Sequence, residues 1–224
     1  MDLLAVPGIP ETAVGPELLD QLPRSAPPAP WPLELRALLW AAWPTAGAAR
    51  SLRPSLSQGS RVLLGGGGFV RYLDTPVGPY GEALAATLLL RGRRASVHVP
   101  FMAVDSAASV VGGRANWSLP KTLADFEGHP GADDTVSARG DGWAVRASAR
   151  PLGPVLPLRA GITLTQEWPD GTIRRARGRL AGRARLAVVS VRASGGAELE
   201  AWLSSGRRLG VILEEARGTL GAPE

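Results

Sequence analysis

Tight-turn signals between alternating apolar segments constrain the fold more than any other feature of this sequence. Asp141-Gly142 separates Val136–Arg139 from Trp143–Ala149, and this dipeptide is typical of a two-residue β-hairpin turn. Pro169-Asp170-Gly171 separates two further segments of the same kind. Because hairpins join strands that run antiparallel, the pattern predicts a mainly β (α+β) protein with a closed or two-layered antiparallel sheet and a few short helices.

The first half adds strands and two short helical segments to this prediction. Residues 1–32 are Pro-rich and are interpreted as an extended N-terminal arm, and residues 33–224 as a single domain. The segment Leu35–Trp43 predicts a buried strand that ends at Pro44. Further strands are expected at Arg61–Tyr72, Ala83–Leu90, Ala95–Phe101, Arg185–Val191 and Leu209–Leu213. Helices are expected at Asp105–Val111 (Asp105 as N-cap, Gly112-Gly113 as stop), in a turn starting at Pro120, and at Glu198–Leu203.

The composition excludes several kinds of site. The 224 residues contain no cysteine, which rules out disulfides and thiolate metal sites. His98 and His129 lie far apart, and no His/Asp/Glu spacing is typical of a metal site, so we expect no metal and no cofactor. No basic segment precedes an apolar stretch at the N-terminus, and no apolar run approaches the roughly 20 residues of a membrane span. We therefore expect a cytoplasmic protein with no membrane partner.

Lys121 is the only lysine among 25 basic residues; the other 24 are arginines. Arginine can replace lysine where only a positive charge is needed. It cannot do so where a nucleophilic amine is needed, because the guanidinium group stays protonated. Lys121 is therefore a candidate nucleophile, although composition alone favours a chance surface lysine equally.

Six arginines crowd the twelve residues from Arg174 to Arg185. Such a segment could bind nucleic acid or the acidic face of a carrier protein. Strand alternation puts Arg175, Arg177 and Arg179 on one face, which is typical of an exposed edge strand. Because no aromatic residues interleave with the arginines for base stacking, a solvated face is favoured and we expect no nucleic-acid partner.

Two segments carry a resemblance to a known family. Thr75-Pro76-Val77-Gly78-Pro79-Tyr80-Gly81-Glu82 is a Gly/Tyr-containing turn that ends in a glutamate. Gly113-Arg114-Ala115-Asn116-Trp117-Ser118-Leu119-Pro120-Lys121 joins a Gly-Arg pair to a Pro-Lys pair through an aromatic-containing spacer. Together they resemble the acetoacetate decarboxylase superfamily, and the order of elements agrees over roughly residues 30–215. The resemblance implies a cone- or barrel-like antiparallel sheet around an apolar pocket, in a homo-oligomer.

The resemblance also assigns roles to individual residues. Lys121 matches the lysine that forms a Schiff base, and Glu82 matches an acidic active-site residue, although Glu82 could equally be an ordinary turn carboxylate. Arg114 matches the arginine of the Gly-Arg pair, with a structural role such as binding Asp105 as the alternative. Substrate contacts are expected from Arg36, Arg114, Tyr80, Met102, Trp117 and Leu119, of which Met102 and Trp117 are equally compatible with plain core.

The sequence departs from the decarboxylase pattern at two positions. Thr122 stands where these decarboxylases have a second lysine, and Ala115 stands where they have a glutamate. Relatives that lack parts of the pattern use the same lysine for aldol, dehydration or hydration chemistry on keto acids. The resemblance therefore implies a Schiff-base-forming lyase of the decarboxylase or aldolase/dehydratase type, acting on a keto acid or ketone. The alternative is a non-covalent cyclase or binding protein for a hydrophobic, polyketide-like small molecule.

Schiff-base chemistry requires an uncharged amine, and lysine normally has a pKa of about 10.4. Trp117, Leu119 and Leu123 surround Lys121 in sequence and are all apolar. Because burial disfavours the charged form, we expect the pKa of Lys121 to be lowered mostly by desolvation, assisted by Arg114 or Arg36.

Overall fold

The computed structural model describes residues 2–43, 45–132 and 134–224. The strands are β1 (Trp31–Ala42), β2 (Ser60–Asp74), β3 (Tyr80–Arg91), β4 (Arg94–Val104), β5 (Lys121–Leu123), β6 (Asp125–Glu127), β7 (Thr135–Gly140), β8 (Trp143–Glu167), β9 (Ile173–Ser194) and β10 (Gly206–Pro223). The helices are α1 (Pro16–Gln21), α2 (Ala46–Ser51), α3 (Pro54–Ser57), α4 (Ala107–Trp117) and α5 (Ala197–Trp202), with a 3₁₀ helix at Pro10–Thr12. No helix of these described ranges has the length and apolar character that a membrane span requires.

The ten strands form one sheet in the order β5-β4-β3-β2-β1-β10-β9-β8-β7-β6. Pairing is antiparallel except between β4 and β5 and at a single contact, Val97 with Leu164, that joins β4 to β8. This contact closes seven strands into a ring, because β4 and β8 are otherwise six strands apart in the sheet order. The mainly antiparallel, barrel-like sheet with few short helices is thus confirmed.

The two faces of β1–β4 are covered by different halves of the long strands β8, β9 and β10. We call the face that carries Glu82 and Met102 the site face, and the face that carries Phe69 and Phe101 the far face. On the far face, the ring of Phe101 lies 5.1 Å from that of Trp143 at the start of β8. On the site face, the end of β8 and the start of β9 pack around Met102. Strands β1–β4 are consequently buried on both sides, which explains their nearly continuous apolar sequences.

The segment before β1 packs against the sheet. Val6, Ile9, Val14 and Leu22 are buried, and Ile9 belongs to the largest apolar cluster of the core. The backbone N–H of Ile9 also donates to the carbonyl of Pro100 at the end of β4. The Pro-rich residues therefore contribute core contacts next to the strand that carries the candidate site.

Helix α4 differs from its predicted form at both ends. Ser106, and not Asp105, is the N-cap, since its Oγ accepts a hydrogen bond from the N–H of Ser109. The predicted stop at Gly112-Gly113 is wrong because α4 continues to Trp117. A Cβ atom on Gly112 would lie 2.4 Å from the Trp31 ring, and one on Gly113 would lie 2.5 Å from Cδ of Lys121. The two glycines thus make room for neighbouring side chains and do not end the helix.

Two further predictions of local structure are wrong. Residues after Pro120 form β5, which adds to β4 as a parallel strand, where a helical turn was expected. Strand β9, which carries the arginine-rich segment, is not an edge strand, because it pairs with β8 on one side and β10 on the other. The hairpin at Asp141-Gly142 and the helix before Leu203 are confirmed. The predicted strand stop at Pro44 lies outside the described residues.

Candidate active site

Lys121 is the first residue of β5, directly after the loop that follows α4. The turn is fixed by Ser118 in the left-handed conformation (φ 52°) and by the N–H of Leu119, which donates to the carbonyl of Gly113. Lys121 lies opposite Met102 in the β4–β5 register and therefore points to the site face. Its side chain passes over Gly113 and is 4% exposed. The only lysine of the chain is thus buried.

Three polar groups surround the amine of Lys121. Nζ lies 2.9 Å from Oε2 of Glu82, whose side chain is 3% exposed. Nζ also donates hydrogen bonds to Oγ of Ser109 at 2.9 Å and to the hydroxyl of Tyr80 at 3.2 Å. The amine is thus in contact with one carboxylate oxygen and two hydroxyl groups. The structure therefore joins Lys121, Glu82 and Tyr80, three residues that the sequence singled out.

Two tyrosines extend this cluster. The hydroxyl of Tyr72 donates to Oε1 of Glu82 at 3.1 Å, and the ring of Tyr72 lies 4.4 Å from that of Tyr80. Burial, followed by the charge of Glu82, raises the pKa of Tyr72 well above its ordinary value. Burial also raises the pKa of Tyr80, although the charge of Lys121 opposes the change. Both phenols are consequently proton donors at neutral pH.

The pKa of Lys121 differs in direction from the sequence prediction. Burial lowers it, as expected, but the charge of Glu82, the interaction with Tyr80 and the hydrogen bonds to both raise it further, so that the net pKa lies above its ordinary value of 10.5. The prediction of a lowered pKa is therefore wrong for this arrangement, because a carboxylate at 2.9 Å outweighs desolvation. Lys121 is an ammonium ion here, and it must lose a proton before it can attack a carbonyl.

Arg114 supports the site from behind and does not face it. Its Nε donates to the backbone carbonyl of Lys121 at 2.7 Å, and its two terminal nitrogens donate to the carbonyls of Leu3 and Thr12. The residue is 1% exposed, and burial lowers its pKa to about 10. Arg114 thus ties the N-terminal segment to β5. Its hydrogen bonds to three carbonyls leave the expected substrate contact without structural support. The alternative partner, Asp105, instead lies near Arg71.

Arg36 lies away from the candidate site. Arg36 on β1 pairs with Arg71 on β2, and Arg71 pairs with Gly81 on β3. All three positions therefore lie on the far face of the sheet. Glu82, one residue later on β3, faces the site face. The expected contact of Arg36 with a substrate at Lys121 is contradicted by this one-residue offset, since successive strand residues point to opposite sides. Arg36 instead lines a separate cavity with Asp134 and Glu214.

The predicted apolar residues lie beside Lys121 in a packed cluster. Met102, Trp117 and Leu119 are buried together, and the Trp117 ring meets that of Trp31 at 5.0 Å. The indole N–H of Trp117 donates to the carbonyl of Gly221. The five main cavities of the described residues have other linings, and none includes Lys121, Glu82 or Tyr80. These five cavities therefore do not provide the apolar pocket that was expected around Lys121.

Sequence reasoning missed Tyr72 and Ser109. Tyr72 and Tyr80 are the only two tyrosines of the chain, and both lie in the cluster, a signal that composition could have given. Ser109 is in the first turn of α4 and is fully buried, which only the fold reveals. The two departures from the decarboxylase pattern lie outside the cluster. Thr122 follows Lys121 on β5 and therefore points to the opposite side, and Ala115 is exposed on α4.

Comparison with known proteins supports the fold. The chain is similar in structure to an acetoacetate decarboxylase from Legionella pneumophila, with 15% sequence identity over 90% of this chain and 89% of that chain, and a TM-score of 0.65. It is similar to the enduracididine biosynthesis enzyme MppR, solved with the condensation product of pyruvate and imidazole 4-carboxaldehyde (16% identity, 88% and 89% covered, TM-score 0.61). An acetoacetate decarboxylase-like enzyme from Sphingomonas wittichii RW1 also matches (16% identity, 88% and 93% covered, TM-score 0.58).

These likenesses at low identity establish the fold alone. No curated protein matches the chain in sequence. The sequence profile of the family described as acetoacetate decarboxylase (ADC), however, matches residues 21–202, which include α4, β5 and the turn before Glu82. The chain therefore belongs to the acetoacetate decarboxylase family.

Proposed function

We propose that this protein is a lyase that forms a Schiff base between Lys121 and a keto acid or ketone. The observation that carries the proposal is the setting of the only lysine, which is buried with its amine 2.9 Å from the carboxylate of Glu82. A surface lysine retained by chance would not have a buried acid and two hydroxyls as partners. Groups that exchange protons with an amine at this distance are what carbonyl condensation requires.

The first stage in this proposal forms the iminium ion. Lys121 gives one proton to Glu82, and the neutral amine attacks the carbonyl carbon of the substrate. The attacking nitrogen then carries an extra proton, which moves to the alkoxide oxygen and gives the neutral carbinolamine. Glu82 then returns the proton to the hydroxyl of the carbinolamine, which leaves as water while the nitrogen lone pair forms the C=N bond. Tyr80 and Ser109, both within hydrogen-bond distance of Nζ, hold the amine in position during these steps.

The second stage uses the iminium ion as an electron sink. A β-keto acid loses CO₂, and the electron pair of the broken C–C bond forms an enamine. An α-keto acid instead loses a proton from the carbon beside the iminium, and the resulting enamine attacks an aldehyde or expels a leaving hydroxide. After decarboxylation the enamine takes up a proton on carbon and becomes an iminium ion again. In either branch water then hydrolyses the C=N bond, which releases the carbonyl product and frees Lys121. Thr122 and Ala115, which replace residues of the decarboxylase pattern, favour the second branch. The MppR complex, whose ligand is a condensation product of pyruvate and an aldehyde, supports it by analogy.

Borohydride trapping tests the proposal. The protein is incubated with pyruvate or acetoacetate, reduced, and weighed by intact-mass spectrometry followed by peptide mapping. Because Lys121 carries the only side-chain amine, we expect one reduced adduct per chain on the peptide that contains residue 121.

Two variants make the trapping result specific. Lys121→Ala should lose the adduct, while Arg175→Gln, which removes a positive charge far from the site, should keep it. An adduct that survives in Lys121→Ala, or no adduct with either substrate or with a broader panel of keto acids, refutes the Schiff-base proposal.

The raised pKa of Lys121 favours a second candidate function. An amine held as an ammonium ion beside Glu82 can bind a polar group of a ligand without reacting with it. In this case the protein is a non-covalent cyclase or binding protein for a hydrophobic, polyketide-like small molecule. Absence of a trapped adduct, together with ligand binding that persists in Lys121→Arg, would favour this function.

Two properties stay predictions: the homo-oligomer that the family resemblance implies, and the cytoplasmic location that the sequence patterns predict. A homo-oligomer is expected, and light scattering coupled to size-exclusion chromatography measures it. A cytoplasmic location is expected, and cell fractionation measures it.

A further inference from the structure

A second feature of the molecule lies away from Lys121, where the turn between β3 and β4 meets β8 and β9. A cavity of about 950 Å³ opens there. This volume is in the range of sites for small molecules, which are typically about 300–1,000 Å³. Arg91, Arg93 and Arg94 line it from the turn, and Arg175 and Arg177 line it from β9. Two separate parts of the chain thus bring arginines to one concave surface.

The charge of this cavity is not balanced by the protein. Glu224 carries the only acidic side chain among the described residues that line it, against five arginine side chains. Among the ion pairs of the described residues, none includes any of these five guanidinium groups. All five arginines are exposed and therefore keep donors available for a ligand.

Strand register places like charges unusually close at the turn. Arg91 and Arg94 are directly opposite each other across the β3–β4 pairing. Like charges in this position destabilise a sheet, typically by a fraction of a kcal/mol. An anion bound between them would relieve this repulsion and would be attracted by all five groups.

The floor of the cavity offers hydroxyl groups. Thr163 and Thr165 on β8 are opposite Arg177 and Arg175 on β9, so the hydroxyls and the guanidinium groups lie on the same side of the sheet. Thr165 is 5% exposed, and its Oγ1 has no hydrogen-bond partner among the described residues. Buried hydroxyls are normally paired, so this unused group is a second indication of a ligand.

The cavity is separate from the candidate active site. Ser96, which also lines it, and Met102, which is opposite Lys121, lie on the same strand six residues apart. At about 3.3 Å per residue this separation is roughly 20 Å. A small keto acid at Lys121 could not reach the arginines, so the cavity would hold a different ligand.

We propose that this arginine cavity binds a small phosphorylated molecule that carries at least two phosphate groups. A single carboxylate or phosphate is satisfied by one or two guanidinium groups through paired hydrogen bonds, whereas five surround this space. The three arginines of the turn and the two of β9 suit two neighbouring phosphate groups bound from opposite sides.

The lining of the cavity favours a small phosphorylated molecule over nucleic acid. Single-stranded nucleic acid binds to grooves in which aromatic rings stack on successive bases. None of the described lining residues is aromatic. The arginines also come from two separate parts of the chain that meet at one concave surface.

Calorimetric titration of the full chain with inorganic pyrophosphate and inorganic triphosphate tests the proposal. We expect both probes to bind, triphosphate more tightly, and both to weaken as the salt concentration rises. Arg175→Gln with Arg177→Gln should weaken binding by about tenfold per arginine, because each removes a charge-assisted hydrogen bond. Thr165→Val should weaken binding by a smaller factor.

A matched control removes the same charge from the same strand. Arg174 and Arg179 neighbour the two cavity arginines on β9 but do not line the cavity, and Arg174→Gln with Arg179→Gln should change the affinity by less than about twofold. Circular dichroism checks that all variants fold. Trapping at Lys121 in the Arg175→Gln/Arg177→Gln variant should equal that of the unmodified protein, which separates this proposal from the Schiff-base proposal.

Several results would overturn the proposal. The first is that neither probe binds. The second is that the affinity falls equally in the cavity variant and the control variant. The third is that a single-stranded oligonucleotide or an acidic peptide binds more tightly than triphosphate. The last two outcomes would indicate a general charge effect or a macromolecular partner.

Discussion

The candidate active site and the arginine cavity use positive charge in opposite ways. At the active site one amine is buried, and a carboxylate and two hydroxyls bind it directly. At the cavity five guanidinium groups are exposed, and none of them has a carboxylate partner in the part of the chain that the structure describes. One charge is therefore held by the protein, and the other five are available to a ligand.

This difference follows from the chemistry of the two side chains. A charged group loses hydration when it is buried, and a partner of opposite charge must offset this loss inside the protein. Glu82 is that partner for Lys121. An amine can also give up its proton, so that a buried pair becomes reactive, whereas a guanidinium group stays charged and suits anion binding. In a chain with 24 arginines, the only lysine stands beside a buried carboxylate that can take its proton. Four predictions test this contrast.

The largest effect is expected from breaking the buried pair. Lys121→Met leaves the carboxylate of Glu82 buried without a cation, which should destabilise the protein by about 3–5 kcal/mol. Lys121→Met combined with Glu82→Gln should recover much of this loss, because the second change removes the unpaired charge. Denaturant unfolding of both single variants and of the double variant measures the coupling. Additive losses would contradict the ion pair, since coupled residues give non-additive changes.

A smaller loss is expected when Arg114 is removed. Arg114→Met leaves the buried carbonyls of Leu3, Thr12 and Lys121 without their donors. Unsatisfied buried groups cost about 1–3 kcal/mol each, and we expect a total of about 3 kcal/mol after relaxation. Arg175→Met, at an exposed arginine, should change the unfolding free energy by less than about 0.5 kcal/mol. Equal losses in the two variants would show that Arg114 has no special structural role.

The sequence allowed prediction of the sheet but not of its local exceptions. Turn dipeptides and period-two alternation depend on neighbouring residues, so the hairpin at Asp141-Gly142 was predictable. Gly112-Gly113 carries the pattern of a helix end, but Trp31, from a distant part of the chain, packs against Gly112, and Lys121 packs against Gly113 after the turn that follows α4. A long-range contact therefore decides the length of α4, and no local pattern contains it.

The same limit applies to the candidate site. The family motif brought together Lys121, Glu82 and Tyr80, because all three lie in or beside its segments. The substrate contact expected of Arg36 is wrong, because a shift of one residue on a strand moves a side chain to the other face. The pKa of Lys121 was predicted from its apolar neighbours in sequence, yet the distance to Glu82 reverses the direction. Distances between residues far apart in sequence come only from the fold.

The third prediction concerns pH. The pKa of Lys121 is raised in the folded protein, so the stabilisation by the ion pair is fully present below pH 10.5 and is lost as the pH rises through the higher folded value. Glu82→Gln removes the charge that raises this pKa and leaves burial, which lowers it. The midpoint of the pH profile for trapping at Lys121 should therefore move to lower pH.

Tyr72→Phe is the control for this shift. It removes a hydrogen bond to Glu82 but keeps the carboxylate beside Lys121, so its midpoint should stay near that of the unmodified protein. The overall rate is not the readout, because Glu82 also moves protons in the proposed mechanism. A midpoint that does not change in Glu82→Gln would mean that this carboxylate does not hold the proton on Lys121.

The smallest effect on the unfolding free energy is expected at the arginine cavity, where the substitution should stabilise the protein and not destabilise it. Arg94→Thr removes one of two like charges that face each other across β3 and β4, so it should stabilise the ligand-free protein by about 0.2–0.5 kcal/mol at low salt. The gain should vanish at about 1 M salt, where charges are screened within about 3 Å. Arg139→Thr, at an exposed strand arginine that pairs with Glu127, should give no gain under the same conditions. If Arg94→Thr instead destabilises the protein as a paired arginine would, Arg94 already has a partner within the protein, and the cavity charge is not free to bind an anion.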